Sequence, residues 1–117
     1  MIWPTDFENK IICGDCSSII RSMPNESVDL IFTDPPYLKS FLNTYDILAN
    51  DCARIMKRGA SLVTIVGHFA LPLITKKFYD ANKLKYRWTF CMNQFDGSHP
   101  RMAMGIEVLW KPMLWVC

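Results

Sequence analysis

With 117 residues the chain has room for one domain at most, which is small for an enzyme handling two substrates. Half of the residues are apolar and 13% are aromatic, so a packed core is expected and wholesale disorder is excluded. A net charge of +2 is too small to single out nucleic acid as a partner, and no apolar run approaches the roughly 18 to 20 residues of a membrane span.

In chain order, Met1-Ile2-Trp3-Pro4-Thr5-Asp6 lacks the basic start and apolar run of a signal peptide. Lys10-Ile11-Ile12-Cys13 reads as a short strand closed by Gly14-Asp15. Asp15 can cap a short helix whose Ile19, Ile20 and Met23 face the core, with Pro24-Asn25 ending it. Val28-Asp29-Leu30-Ile31-Phe32-Thr33 is nearly all apolar, the mark of a central strand covered on both faces. Two prolines in Asp34-Pro35-Pro36-Tyr37 must stop its ladder. Phe41, Tyr45, Leu48, Cys52 and Ile55 recur at helical spacing, and Lys57, Arg58 and Gly59 supply that helix's last turn and terminal glycine.

Ser61 to Val66 is the next strand, ending at Gly67, and Leu71, Ile74, Phe78 and Ala81 mark a further helix with solvated Lys76 and Lys77. Tyr86, Trp88 and Phe90 alternate with Arg87 and Thr89 as a half-buried strand. A polar loop follows from Asn93 to Arg101, then extended chain over Val108 to Trp110 and Met113 to Cys117, interrupted by Pro112. The last apolar run carries no polar closing segment. The sum is an α/β fold, a mainly parallel sheet flanked by helices, in one domain spanning 1–117. The five cysteines are an odd number at irregular spacing, which fits reduced thiols of a cytoplasmic protein. Cys13 and Cys16 have no second pair at zinc spacing, so no metal is expected and both read as buried thiols.

The segment Asp34-Pro35-Pro36-Tyr37 carries the chemistry, because the carboxyl end of a strand is where open α/β sheets bind ligands. An exocyclic base amine is a poor nucleophile, since its lone pair is delocalised into the ring. The Asp34 carboxylate can accept from one N–H and the Pro35 carbonyl from the other. Two acceptors off the ring plane favour a tetrahedral nitrogen, a matter of positioning and electrostatic preorganisation. Proline aims its carbonyl by its fixed φ and removes a competing donor. Tyr37 offers a face on which a base taken out of a duplex can stack. A Pro-Pro turn with a core tyrosine is the bland alternative.

Ile11-Ile12-Cys13-Gly14-Asp15, followed by Met23 through Tyr37, resembles the opening of the beta-class N6-adenine and N4-cytosine DNA methyltransferases of restriction–modification systems and phages. Their catalytic motif precedes their cofactor-binding motif. Glu107 to Trp115 resembles the strand they carry before a variable region. The resemblance implies a partial Rossmann-like methyltransferase fold. It also implies S-adenosylmethionine as cofactor and double-stranded DNA with a flipped target base as partner. Asp34, Pro35, Pro36 and Tyr37 would then hold the base, while Asp15 and Asp34 would serve the cofactor side, Asp15 at its adenine. Asp15 as a simple helix cap is compatible with that role. Asp in the first motif position favours adenine over cytosine.

Two departures stand out. The family's Phe-x-Gly-x-Gly loop, which cradles the methionine end of the cofactor, is expected downstream of the variable region; the five glycines here form no such loop. Met92-Asn93-Gln94 replaces the usual Trp-x-Lys, leaving Phe90 and Phe95 as candidates for the second aromatic wall. His68 reads as structural or cleft-facing, and His99 and Arg101 as residues of a solvated loop, with Arg101 within reach of a phosphate.

Three functions therefore compete. The first is the catalytic part of an adenine-N6 DNA methyltransferase, and the second an RNA base methyltransferase. The second needs its glycine loop upstream of the motif, where only 33 residues precede Asp34. The third is a non-catalytic remnant or dimerisation module, and a homodimer is compatible with all three.

Overall fold

The computed structural model describes residues 1–94, Gly105 and residues 108–117. The expected loop beyond Gln94, with Phe95, His99 and Arg101, and Glu107, thus lies outside the described residues.

A four-stranded sheet of β1 (Val28–Thr33), β2 (Met56–Ile65), β3 (Tyr86–Asn93) and β4 (Trp110–Val116) is ordered β1-β2-β4-β3. β1 and β2 pair in parallel, while β4 runs antiparallel to both β2 and β3. Three strands therefore share one direction and β4 alone is reversed. Helices α1 (Cys16–Ser22), α2 (Thr44–Ile47), α3 (Ala53–Ile55) and α4 (Leu71–Ala81) accompany the sheet. The α/β architecture is the expected one, but the mainly parallel sheet is met only in part: among the described residues β1–β2 is the one parallel pairing, because β4 inserts in reverse between β2 and β3.

The core lies where β2 and β4 meet the helices. Leu62, Val66, Ile74, Leu114 and Val116 have no exposed surface, and Phe78, Cys52 and Tyr45 are nearly as enclosed. Each such side chain contributes about 1.5 to 3 kcal/mol by leaving water. α4 forms as its periodicity demands: Ile74 and Phe78 face inward and Asn82 closes the helix at φ 50°.

Several expectations need correction. Lys10 to Cys13 forms no strand, and Ile11 is fully exposed. Cys13 and Cys16 are exposed thiols, not buried ones. β1 is an edge strand: among the described residues only β2 pairs with it, and Leu30 and Phe32 are 59% and 62% exposed. An apolar run tells how much surface a strand must hide, not which neighbour hides it. The Tyr86–Trp88–Phe90 stripe of β3, the opposite edge, is likewise mostly exposed.

The expected single helix over 41–55 is a 3₁₀ turn (Lys39–Phe41), α2, a π-helical turn (Leu48–Cys52) and α3. The π turn inserts an extra residue while keeping Leu48, Cys52 and Ile55 buried. Lys57, Arg58 and Gly59 belong to β2, not to the helix end. The register jumps from Val28↔Met56 to Leu30↔Ser61, and Gly59 at φ 82° takes the left-handed conformation inside that bulge. β4 runs through Pro112, whose carbonyl still accepts from the Val66 N–H at 2.9 Å although the proline donates nothing.

Candidate functional site

Asp34 to Tyr37 leave β1 at its carboxyl end, as two consecutive prolines require. Asp34 and Pro36 are exposed, Pro35 is buried and Tyr37 is half-buried. The Tyr37 hydroxyl donates to Asp34 Oδ1. Burial, first, and then that bond and the charge of Asp34 push the phenol well above its ordinary ionisation range, so it stays a donor. Beneath the motif, the buried Tyr45 donates to the Ile65 carbonyl at 3.2 Å. Its phenol is pushed up to about 12, by burial before the charge of Asp34.

A cavity of about 200 Å³ opens beside Tyr37, walled by Gly67, His68, Phe69, Gln94 and Trp110. That is smaller than the roughly 300 to 1,000 Å³ of sites for drug-sized ligands, and so suits a single planar group. Gly67 permits the close approach of its walls: an added Cβ would stand 3.2 Å from Phe69 and 3.6 Å from the Tyr37 Cβ. His68 fixes Trp110 from two directions. Its ring meets the indole edge-on at 4.5 Å between centroids, and Nε2 lies 2.6 Å from the Trp110 carbonyl. Because a carbonyl can only accept, Nε2 carries the proton. The Gln94 side-chain oxygen is buried and finds no partner among the described residues.

Lys111, from β4, completes the site. Its ammonium lies 3.3 Å from the Tyr37 hydroxyl and 4.8 Å from the centre of that ring.

The structure therefore gathers Asp34, Pro35, Pro36 and Tyr37 as expected from their adjacency and adds His68, Phe69, Gln94, Trp110 and Lys111. Phe90, one candidate for the second wall, stacks on Trp115 at 5.9 Å. Trp110 and Lys111 carried no site signal beyond lying in the stretch from Glu107 to Trp115 that resembles a strand of that family; only the reversal of β4 brings them to Tyr37. Asp15 ends no strand. It is the N-cap of α1, accepting at Oδ2 from the Ser18 N–H at 2.9 Å and the Ser18 hydroxyl at 2.8 Å. Those bonds hold its carboxyl below the ordinary value of 3.8.

Arg54 is another residue the sequence left unmarked. Its guanidinium reaches the Met23 carbonyl, Asn25 Oδ1 and the Ile20 carbonyl at 2.8, 2.8 and 2.9 Å, tying the end of α1 and the turn before β1 to α3.

No model of a known protein family matches the chain. Over 32 residues, 27% of the chain and 9% of the relative, it is 59% identical to the type II methyltransferase M.HinfI of Haemophilus influenzae. Over 95% of its length it is 27% identical to the DNA adenine methyltransferase YhdJ of Escherichia coli strain K12, covering 42% of that protein. Among solved structures it superposes on the cytosine-N4-specific PvuII DNA methyltransferase with a TM-score of 0.74 at 16% identity. The match covers 88% of the chain and 46% of that enzyme. The M1.HpyAVI complex with S-adenosylmethionine gives a TM-score of 0.65 at 18% identity, covering 88% and 51%. The chain thus spans less than half of these curated relatives and about half of these solved neighbours. The chain therefore shares the fold of solved DNA methyltransferases, and its sequence relatives are type II and adenine DNA methyltransferases.

Proposed function

We propose that the chain supplies the base-holding part of an S-adenosylmethionine-dependent DNA methyltransferase whose target is N6 of adenine. The observation that carries this reading is the Asp34 carboxylate at the end of β1, held by Tyr37 beside an aromatic-walled cavity. Asp34 Oδ1 accepts from Tyr37; Oδ2 has no partner among the described residues and is available to one amine N–H. The Pro35 carbonyl takes the other. The amine nitrogen is thereby turned pyramidal and its lone pair aimed out of the ring plane.

The base reaches this position by leaving the duplex, at a cost of a few kcal/mol that stacking on Tyr37 and Trp110 offsets. The cofactor supplies an electrophilic methyl group. The described residues fit the acceptor side of that reaction and form no glycine-rich cradle for the methionine end, so the 117 residues alone should bind S-adenosylmethionine weakly. Asp15 is proposed on the cofactor side, with its capping bonds to Ser18 retained.

An aspartate at the head of the motif favours adenine, and YhdJ, a DNA adenine methyltransferase, is similar over nearly the whole chain. A restriction–modification or phage setting is proposed from the type II methyltransferases among the relatives. The test is transfer of a tritiated methyl group to duplex DNA, followed by digestion to nucleosides. N6-methyladenine supports the assignment, and N4-methylcytosine alone would replace it. A second reading, a non-catalytic remnant, draws on the scattered glycines and predicts no transfer under any condition.

A further inference from the structure

We propose that Lys111 is a positioning residue that acts on Asp34 through the Tyr37 hydroxyl; this rests on the base-holding role of Asp34 and Tyr37 proposed above. Three contacts form one chain. The Lys111 ammonium is 3.3 Å from the Tyr37 oxygen, the same ammonium is 4.8 Å from the ring centre, and the Tyr37 hydroxyl donates to Asp34 Oδ1. An ammonium has donors only, so at this oxygen it must donate to a lone pair. That leaves the single phenolic proton to be directed elsewhere, and Asp34 receives it.

The arrangement defines which way the phenol points. A phenolic O–H, conjugated with its ring, otherwise chooses between two in-plane directions. Here the cation occupies the acceptor side of the oxygen and attracts the ring by cation–π interaction, which fixes both the proton and the ring. One Asp34 oxygen is thereby taken up, and the carboxylate is held in one orientation with its other oxygen facing the amine. Lys111 is half-buried beside an apolar cavity, where an ammonium loses hydration; the contact with Tyr37 replaces part of what it gives up. β4 brings it there across 74 residues, and its neighbours Trp110 and Pro112 are held by His68 and by the Val66 N–H. The lysine therefore projects from a strand paired on both sides onto the Tyr37 hydroxyl, which is the geometry of a support.

The experiment has two arms. In the first, the Tyr37 hydroxyl proton and ring ¹³Cζ are followed by NMR in the 117-residue chain, without DNA or cofactor. The unsubstituted chain should show a downfield, slowly exchanging hydroxyl proton, retained in Lys111→Arg and lost to rapid exchange in Lys111→Met. An unchanged Tyr37 signal in a folded Lys111→Met chain overturns the proposal. Should that variant not fold, Tyr37→Phe serves: the Lys111 ammonium resonance must then shift, and an unmoved resonance overturns the proposal equally.

In the second arm, methyl transfer by the protein is measured for Lys111→Met, Tyr37→Phe and the double variant. Each single change should lower kcat by about tenfold with KM for DNA little changed, and the double variant should be no worse than either single one. Fully multiplicative losses overturn it. So does a Lys111→Met effect confined to DNA affinity, with a salt dependence lower by about 0.9, because that identifies a phosphate contact instead. If neither variant nor parent transfers methyl groups even at saturating S-adenosylmethionine, the base-methylation reading fails while the NMR arm still decides on Lys111.

Discussion

Tyr37 serves two neighbours with different parts of one side chain. Its face borders the cavity, and its hydroxyl joins Asp34 to Lys111. Tyr37→Ala should weaken capture of the base by about 1 to 3 kcal/mol, the usual contribution of one stacked base, as read from fluorescence of an extruded base analogue. Tyr37→Phe should leave capture nearly intact and lower turnover, separating the ring from the hydroxyl. The motif was legible because its four residues are consecutive and follow an apolar run. The hydroxyl's role was not, because Lys111 lies 74 residues away and only the register of β4 makes them neighbours. Trp110 and Gln94 were hidden for the same reason, whereas His68 was legible as a cleft residue from its place after an apolar strand.

At the scale of elements, capping and helical periodicity held for α1 and α4 and failed over 41–59. Asp15 caps α1 and α4 buries Ile74 and Phe78, each read from spacing alone. Asp15→Ala should destabilise the chain and Asp15→Ser should not, measured as the shift in urea midpoint. The stabilisation from Asp15 is present above pH 3.8 and lost as pH falls through its lowered folded value, because the unfolded chain then binds the proton first. Gly59 was read as a helix stop because glycine closes helices as readily as it forms bulges; the residue type fits both. Gly59→Ala meets open space but must hold φ 82°, so it should cost roughly 1 to 2 kcal/mol by denaturant unfolding. The strand expected at Lys10 to Cys13 failed because a short apolar run forms a strand only beside a partner, and among the described residues none pairs with it.

For the whole molecule, β1, β2 and β3 share a direction while β4 reverses between two of them, a feature that local pattern cannot encode. Among the described residues, no helix is long and apolar enough to cross a membrane. Burial pushes the Tyr45 phenol and the Cys52 thiol up to about 12, from ordinary values of 10.0 and 9.0. The unfolded chain therefore loses these protons first. Stability should fall as pH rises from about 9 toward 12, with a slope approaching 1.4 kcal/mol per pH unit for each fully linked group. Urea titrations across that range would show it, and Tyr45→Phe should flatten the upper part. The central claim is that Asp34 holds an exocyclic base amine for methylation, and tritium transfer at saturating S-adenosylmethionine by the protein and its Asp34→Ala variant tests it most directly. The account predicts labelled N6-methyladenine from the parent, and from a folded Asp34→Ala protein a loss of at least about 100-fold, as for removal of one preorganised transition-state contact. Transfer undiminished in Asp34→Ala would contradict it.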